Sequence, residues 1–199
     1  MKKIVDYYYD FISPFAYLAV TQIPRLMKEY ADVAEFRGHA FTMWEARLAA
    51  GNTGPSNREM PKRLNVLMAD ANRYAKRYGV PLKQTTSFDA KRINRGVYVA
   101  RDLGKEMEYM TTVNNAAWGN GGDIANPAFL DECVAKIGLD PATFAAAVDS
   151  EEITARYAKE NEDAQARGVF GAPTFVVDNE IFWGNDRIVW VEDYLRGRV

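Results

Sequence analysis

The chain has 199 residues, 48% of them hydrophobic and 26% charged, a composition typical of a soluble globular protein. Its 25 Lys and Arg against 27 Asp and Glu give a formal net charge of −2, which argues against a general nucleic-acid binder with a basic face. The single cysteine, Cys133, excludes an intrachain disulfide and a CxxC redox pair. Together with the single histidine, His39, it also argues against a Cys/His metal centre.

The N-terminal stretch MKKIVDYYYDF has an alternating pattern that Asp6 and Asp10 interrupt, unlike the continuous apolar segment of a signal peptide. Nothing in the chain approaches the roughly 18 consecutive apolar residues that a membrane span needs. We therefore expect a cytoplasmic protein that does not enter a membrane.

The chain opens with a predicted β-α-β unit. Residues 4–11 are rich in Tyr, Val and Ile and predict a strand. Ser13 and Pro14 then form a helix start, a capping hydroxyl followed by a proline at the first helical position. The predicted helix runs on to Tyr30 with a kink at Pro24, and residues 33–41 predict a second strand. This order favours a parallel pair with a right-handed crossover.

Helical patterns dominate the middle of the chain for about a hundred residues after the loop GNTGPSNRE. The first of these helices keeps a 3.6-residue apolar spacing up to Tyr78 and ends at Gly79. Later helices begin at the pairs Asn126-Pro127 and Asp140-Pro141. A longer helix covers residues 151–167 and ends at Gly168.

The last segment returns to strands. Residues 174–177 and 180–183 predict a hairpin with its turn at Asp178-Asn179, and Asp186 is placed to cap or charge the start of a short final helix. Residues 1–43 and 150–199 together predict one small sheet layered with helices. Residues 44–149 then form an all-helical insertion domain.

The tetrapeptide Gly171-Ala172-Pro173-Thr174 precedes the third predicted strand. With the element order above, it resembles the thioredoxin fold of DsbA-type oxidoreductases, in which this proline is cis and faces the start of the first helix. Redox members of that fold place Cys-x-x-Cys at this helix start. Here the matching residues are Ser13-Pro14-Phe15-Ala16, so dithiol exchange is excluded.

Five strings in matching order, DFISPFAYLA, GNTGPSNRE, RYGVPL, VFGAPTFVV and FWGNDR, resemble the 2-hydroxychromene-2-carboxylate isomerase family. That family is glutathione-dependent, acts in bacterial naphthalene breakdown and is related to kappa-class glutathione transferases. The resemblance implies an α/β, thioredoxin-like fold with a large all-helical insertion. It also implies glutathione as cofactor, a chromene carboxylate or aromatic α-keto acid as substrate, and a homodimer.

The resemblance assigns the cofactor site as follows. Ser13 is explained as a helix cap alone, but its hydroxyl and the neighbouring amides also suit the sulfur anion of a bound glutathione. A cis Pro173 leaves the backbone of Ala172 free to pair with the peptide-like cofactor. The other cofactor-binding candidates form the WGND stretch, Trp183, Gly184, Asn185 and Asp186, and related enzymes hold the γ-glutamyl end of glutathione at the positions of Asn185 and Asp186.

Substrate contacts are expected from the loop GNTGPSNR. Turn chemistry alone explains its Asn and Gly residues, but an arginine gives bidentate recognition of a carboxylate. The candidates are Asn57 and Arg58, with Arg47 just upstream as a weaker one. Near relatives carry a tyrosine at about the position of Phe88, so a phenolic hydroxyl is missing there.

Other aromatic and polar residues of the helical block, Tyr98, Asn114 and Trp118, fit a core better than a site, as does Cys133, and His39 is expected to be structural. Two alternatives to the isomerase stay open. One is a kappa-like transferase or peroxidase that uses the same thiol site on other electrophiles. The other is a thioredoxin-like binding module without catalysis.

Overall fold

A computed structural model describes residues 2–199. Four strands form one mixed sheet in the order β2-β1-β3-β4. Their bounds are β1 Lys3–Tyr9, β2 Ala34–Ala40, β3 Thr174–Val177 and β4 Glu180–Trp183. β1 lies parallel to β2 and antiparallel to β3, and β3 lies antiparallel to β4. The first and last parts of the chain therefore build a single sheet, as predicted, with β1 in its interior.

Helices surround this sheet. Before β2 these are α1 Pro14–Val20 and α2 Ile23–Glu29. Between β2 and the last long helix lie α3 Met43–Ala49, α4 Pro61–Tyr78, α5 Lys91–Asp102, α6 Glu106–Asn114, α7 Pro127–Lys136 and α8 Pro141–Val148. The last long helix is α9 Glu151–Ala166, and α10 Ile188–Leu195 follows the hairpin. One turn of π-helix, Asn115–Gly119, continues α6.

The predicted single helix from Ser13 to Tyr30 is wrong, because the structure breaks it into two. In a continuous helix the nitrogen of Pro24 would face the carbonyl of Val20, and proline has no N–H to donate and its ring clashes there. α1 accordingly ends at Val20, and Pro24 lies in the first turn of α2, where its missing N–H costs nothing. α1 is thus only two turns long.

The predicted cap by Asp186 is also wrong. Residues Asn185–Arg187 form a 3₁₀ turn, and α10 begins after it at Ile188 without a side-chain cap. The carboxylate of Asp186 instead pairs with Nη1 of its neighbour Arg187 at 2.6 Å. The 3₁₀ turn places Asp186 one residue too early to reach the first amides of α10.

The inserted helices do not form a separate core. α4 packs against α1, while α5 packs against β2 and α9, and one apolar cluster runs through both parts. Tyr98, Trp118 and Cys133 belong to this cluster and Asn114 is buried, which confirms their prediction as core residues. The division into a thioredoxin-like domain and an insertion domain stays a prediction.

Membrane spans and metal clusters are both missing from residues 2–199. Within this part of the chain, no helix is both long and apolar enough to cross a bilayer. Nor do three or more His, Cys, Asp or Glu side chains of these residues converge as metal ligands would. The polar groups that could form a site lie instead around the start of α1.

Candidate active site

Ser13 lies at the start of α1 and is buried, with 5% of its surface exposed. Its Oγ accepts a hydrogen bond from the amide of Ala16 at 3.2 Å, which confirms the predicted N-cap. The same hydroxyl donates to the carbonyl of Ala172 at 3.1 Å. Because a hydroxyl has one proton, Ser13 must release the Ala172 carbonyl before it can donate to any ligand.

The Ala172–Pro173 peptide bond is cis, as the thioredoxin resemblance implies. The backbone of Ala172 is only half free, because its carbonyl accepts the Ser13 hydroxyl. Its amide donates to no other group of residues 2–199. One unpaired donor therefore lies beside the Ser13 hydroxyl, and it suits an extended peptide-like ligand.

Asn185 contributes a second unpaired donor. The residue is only 2% exposed, yet its Nδ2 has no hydrogen-bond partner within the described chain, residues 2–199. Its Oδ1 accepts from the hydroxyl of Tyr78, on α4, at 3.4 Å. A buried donor without a partner costs stability, about 1–3 kcal/mol, so a ligand carboxylate or carbonyl that accepts from Nδ2 would recover it.

Two glycines keep the WGND stretch close to the Pro173 loop. Gly184 has φ +118°, a backbone conformation that residues with a side chain rarely adopt. Its amide donates to the Pro173 carbonyl at 2.9 Å. At Gly171 an added Cβ would lie 2.5 Å from Nε1 of Trp183. The indole of Trp183 packs on the ring of Phe170 with centroids 4.7 Å apart and stays half-exposed. Trp183 and Gly184 thus lie beside the Gly171–Pro173 segment, and Asn185 and Asp186 follow them directly in the chain.

A cavity of about 200 Å³ opens next to the Ser13 loop. Its wall includes Ile12, the residue before Ser13, so the cavity and the serine share one backbone turn. Asp10, Thr42 and Asn94 supply buried polar groups to it, and Phe88 supplies an aromatic face. At the rim, Lys91 binds Glu45 at 2.6 Å.

Arg58 meets Phe88 at this cavity. The guanidinium carbon of Arg58 lies 3.0 Å from the centroid of the Phe88 ring, so the two predicted substrate residues are in direct contact. Desolvation lowers the pKa of Arg58 to about 10, and attraction to Asp10 opposes this shift, so the side chain stays cationic at neutral pH. Arg58 lies in a 3₁₀ turn, Asn57–Glu59, and the side chain of Asn57 at its start is exposed.

Arg47 makes different contacts from Arg58. Its Nη2 donates to Oδ1 of Asn52 at 3.1 Å and to the carbonyls of Gly54 and Pro55 at 2.5 and 3.2 Å. Its guanidinium also lies 4.7 Å from the ring centre of Trp44. Nη2 of Arg47 therefore helps to hold the loop that carries Arg58 in place, whereas its buried Nη1 has no hydrogen-bond partner within residues 2–199.

A buried polar cluster under the cavity was not anticipated from the sequence. Asp10 accepts hydrogen bonds from the amides of Ile12 at 3.2 Å and Met43 at 2.9 Å, and from Nδ2 of Asn94 at 3.1 Å. Asn94 also contacts the hydroxyl of Tyr157, on α9, at 3.0 Å. Burial raises the pKa of Asp10 to about 6, against the opposing effect of these hydrogen bonds.

Asp10 and Tyr78 were not predicted as site residues, although the sequence contains a signal for each. Asp10 interrupts an otherwise apolar strand end three residues before Ser13, which is unusual for a residue that then becomes buried. Tyr78 lies in the string RYGVPL, whose Gly79 ends α4 with φ +68°. The contacts of both residues join segments 84 and 107 positions apart, which no local pattern reports.

Comparison with known proteins gives a consistent answer. The family of DSBA-like thioredoxin domains matches residues 4–196. The 2-hydroxychromene-2-carboxylate isomerase of Sphingobium xenophagum is 40% identical over 195 residues, which cover 98% of this chain and 99% of that protein.

Solved structures agree with this match. A crystallised 2-hydroxychromene-2-carboxylate isomerase superposes with a TM-score of 0.92 at 34% identity, covering 98% of this chain and 95% of the other. The cytosolic disulfide reductase DsbM from Pseudomonas aeruginosa, solved with GSH, has a TM-score of 0.64 at 22% identity, covering 97% and 99%. The second likeness shows the fold alone.

Proposed function

The chain belongs to the 2-hydroxychromene-2-carboxylate isomerase family of DSBA-like thioredoxin domains, and from this premise we propose that it is a glutathione-dependent isomerase. The proposed reaction interconverts 2-hydroxychromene-2-carboxylate and trans-o-hydroxybenzylidenepyruvate, as a step of bacterial naphthalene catabolism. The observation that carries the proposal is the position of the Ser13 hydroxyl. It lies 3.1 Å from the carbonyl before cis Pro173, where redox relatives have a cysteine.

The residues present fit glutathione. The peptide-like cofactor can accept from the unpaired Ala172 amide, and its γ-glutamyl carboxylate can accept from the orphaned Nδ2 of Asn185. Trp183 and Gly184 shape the wall, and Asp186 offers an exposed carboxylate to the γ-glutamyl ammonium. When bound, glutathione supplies a thiolate that adds reversibly to the conjugated double bond of the substrate and so permits rotation about it.

Ser13 stabilises the sulfur anion in this proposal. Its O–H now donates to the Ala172 carbonyl, and turning it to the thiolate would replace a neutral hydrogen bond by a charge-assisted one. Such an exchange favours the ionised thiol and lowers its pKa. Because α1 has only seven residues, we assign this effect to the hydroxyl and the local amides and give little weight to the helix dipole.

Arg58 and Phe88 hold the substrate in this proposal. The guanidinium of Arg58 pairs with the substrate carboxylate, and the edge or face of Phe88 packs against the aryl ring. Asn57 adds an exposed amide from the same turn, and Arg47 keeps that turn in register through its loop contacts. Together these residues direct an anionic aryl compound towards the Ser13 loop.

The test compares two capping serines. Ser13→Ala and Ser150→Ala each remove an N-cap hydroxyl, on α1 and α9, and each should cost about 1 kcal/mol of stability. Only Ser13→Ala should reduce kcat/KM for the isomerisation, by about 100-fold, and the wild-type reaction should require glutathione. Full wild-type activity after exhaustive removal of glutathione, or equal activity of both variants, would contradict the proposal.

A transferase or peroxidase that uses the same thiol site is the second candidate. The observation that favours it is Phe88, which lacks a phenolic hydroxyl to orient a substrate and is covered by Arg58. Assays with the chromene and with a chlorinated aromatic acceptor separate the two activities. A binding module without catalysis would show neither activity. If both assays are negative, calorimetry that detects no glutathione binding would favour the binding module.

The homodimer implied by the family also belongs to this proposal. Sedimentation equilibrium of the purified chain should give about twice the monomer mass of 22.4 kDa. A single species at the monomer mass would contradict it.

A further inference from the structure

Asp10 occupies a position that the proposed function leaves unexplained. It follows the last residue of β1 and is only 2% exposed, yet its carboxylate lines the cavity beside Ile12 and Phe88. Carboxylates this deeply buried are rare unless they have a cationic partner or a chemical role. No cation of residues 2–199 forms a hydrogen bond or ion pair with Asp10.

The hydrogen bonds of Asp10 leave room for one more. Two carboxylate oxygens offer about four acceptor positions. Oδ1 accepts from the amide of Ile12 and from Asn94, and Oδ2 accepts from the amide of Met43. One acceptor position therefore remains on Oδ2, and a proton placed there would break none of the three bonds.

Several elements packed around Asp10 carry charged or titratable side chains. Arg58, in the 3₁₀ turn, attracts its negative charge. On the rim, Glu45 of α3 is paired with Lys91 of α5, and Asp89 is exposed. From α9, Tyr157 reaches Asp10 only through Asn94. Among these described neighbours Arg58 is the cation without an acidic partner, and burial outweighs its effect, which brings the pKa of Asp10 close to neutrality.

The substrate class of the proposed function needs a proton carrier. A 2-hydroxychromene-2-carboxylate is a cyclic hemiketal, in which C2 carries both a hydroxyl and the ring oxygen. Opening the ring removes the hydroxyl proton and delivers a proton to the ring oxygen, which becomes a phenol. Both oxygens are bonded to one carbon, so one carboxyl group can serve both.

We infer that Asp10 is the acid–base group that opens and closes the chromene ring, an inference that rests on the proposed function. Oδ2 takes the proton from the C2 hydroxyl as the C2–O ring bond breaks and the C2 carbonyl forms. The electron pair of the broken bond stays on the ring oxygen. The proton then passes from Oδ2 to that oxygen, so Asp10 ends the step ionised as it began, and no other reactant is consumed.

This assignment also explains the neutral partners of Asp10. A carboxylate locked in an ion pair would have a low pKa and would be a weak base near neutral pH. Asn94 and two amides orient the group without removing its ability to take a proton. Arg58 neutralises the carboxylate of the substrate, which would otherwise repel Asp10.

The test is the pH dependence of kcat for Asp10→Asn with glutathione and the chromene. Wild-type kcat should fall on the acid side with a midpoint near pH 6, since Asp10 must be ionised to take the hydroxyl proton. Asp10→Asn should lose about 100-fold in kcat with little change in KM, and the acid limb should disappear. An unchanged acid limb in this variant would overturn the inference.

Asn161→Ala is the matched control, because Asn161 belongs to the same buried cluster and carries no titratable group. Its Oδ1 accepts from the amide of Thr42 at 2.6 Å, at the start of α3. The control should lose stability but keep the acid limb. If both variants lose activity in proportion to stability and the limb persists in both, Asp10 has only a structural role.

A direct titration of Asp10 separates this inference from the proposed function. The ¹³Cγ signal of Asp10 should titrate at the midpoint of the kinetic acid limb, and removing the cation in Arg58→Ala should move both upwards together. Wild-type protein that is active while Asp10 titrates below pH 4 would overturn the inference alone. Wild-type protein that is inactive with glutathione and the chromene would overturn both.

Discussion

Two aspartates of the same segment, Asp6 within β1 and Asp10 just after it, are both buried and have opposite electrostatics. Burial pushes the pKa of Asp6 up, but hydrogen bonds from His39 and Arg167 outweigh it and leave that pKa below its usual value. Burial raises the pKa of Asp10 to about 6, because its partners are an asparagine and two amides. The charge of the partner decides the sign of the shift.

The Asp6 cluster is an ion network between the sheet and α9. Nε2 of His39 lies 3.0 Å from Asp6, and Nδ1 lies 3.0 Å from Glu160. A neutral imidazole has one N–H, so both contacts are hydrogen bonds only when His39 carries two protons. The carboxylates accordingly raise the pKa of His39, although burial opposes them. The prediction of a structural His39 agrees with this position.

One strand thus supports two kinds of polar burial. The Asp6 cluster is satisfied by opposite charge and ties β1 and β2 to α9 and to Arg167. The Asp10 cluster is satisfied by neutral donors and retains a free acceptor position beside a cavity. We expect the Asp6 cluster to stabilise the fold. We expect the Asp10 cluster to destabilise it, because its carboxylate is kept available for proton transfer.

Asn94→Ala should break the Asp10 cluster most severely. It removes the side chain that contacts Asp10, the Phe41 carbonyl and the Tyr157 hydroxyl, all within 3.1 Å. Several buried polar groups then lose their partner, so the free energy of unfolding in urea should fall by about 3 to 4 kcal/mol. The control Asn72→Ala, exposed on α4, should cost less than about 0.5 kcal/mol. Equal losses of unfolding free energy in the two variants would show that the buried contacts of Asn94 do not stabilise the fold more than an exposed asparagine does.

Asp10→Asn should abolish the fall in stability with rising pH that Asp10 causes. The pKa of Asp10 is about 6 in the folded chain, against 3.8 for an ordinary solvated aspartate, so the folded state binds more protons between these values and its stability falls as pH rises. The variant lacks this slope. Its stability relative to wild type should rise by about 2 to 3 kcal/mol between pH 4 and pH 7, measured by urea unfolding. Parallel stability curves would show that Asp10 does not titrate in this range.

His39→Gln should change the pH dependence in the same direction as Asp10→Asn, with a smaller amplitude. The raised pKa of His39 contributes stability that is fully present below about pH 6.5 and is lost as pH rises through the folded-state value. We expect the variant to lose about 1 to 2 kcal/mol at pH 5.5 and less at pH 9, measured by thermal or urea unfolding. A loss that grows with pH would contradict the doubly protonated ring.

Arg37→Gln should have the smallest effect. Arg37 lies two residues from His39 on β2 and pairs with Glu35 at 2.8 Å, but about half of each side chain is exposed. Solvent screens this pair, so the free energy of unfolding should change by less than about 0.5 kcal/mol at any pH between 5 and 9. A loss as large as that of His39→Gln would mean that charge on this strand matters irrespective of burial.

Local signals in the sequence predicted much of this fold. The hairpin of residues 174–183, with its turn at Asp178-Asn179, matches the structure, as do the caps Ser13, Asn126 and Asp140. Each of these depends on residues at most nine positions apart, where the preferences of Pro, Gly, turn residues and capping side chains decide the backbone. The break before Pro24 follows the same chemistry, although only a kink was expected there.

The polar contacts of the candidate site were beyond such reasoning. Whether an aspartate gains a cation or an asparagine as its partner depends on which helix packs over it. Asp10 meets Asn94 across 84 positions, and Tyr78 meets Asn185 across 107. Arg47 stays a weaker predicted substrate contact, and no local pattern shows that its Nη2 binds the carbonyls of Gly54 and Pro55 while its Nη1 has no partner within residues 2–199. Family resemblance supplied the candidate residues, whereas tertiary packing determines their partners.

The bond between Ser13 and the Ala172 carbonyl joins positions 159 residues apart. After Ser13 has been synthesised, nearly the whole chain must therefore be translated before its hydrogen bond to Ala172 can form. Until Thr174–Val177 emerges, the edge of β1 that pairs with β3 has no partner, and this edge belongs to a tyrosine-rich, otherwise buried strand. The nascent polypeptide consequently has an unpaired, aggregation-prone strand edge for most of its synthesis. We expect chaperones to bind this edge, and the late long-range pairing to slow folding.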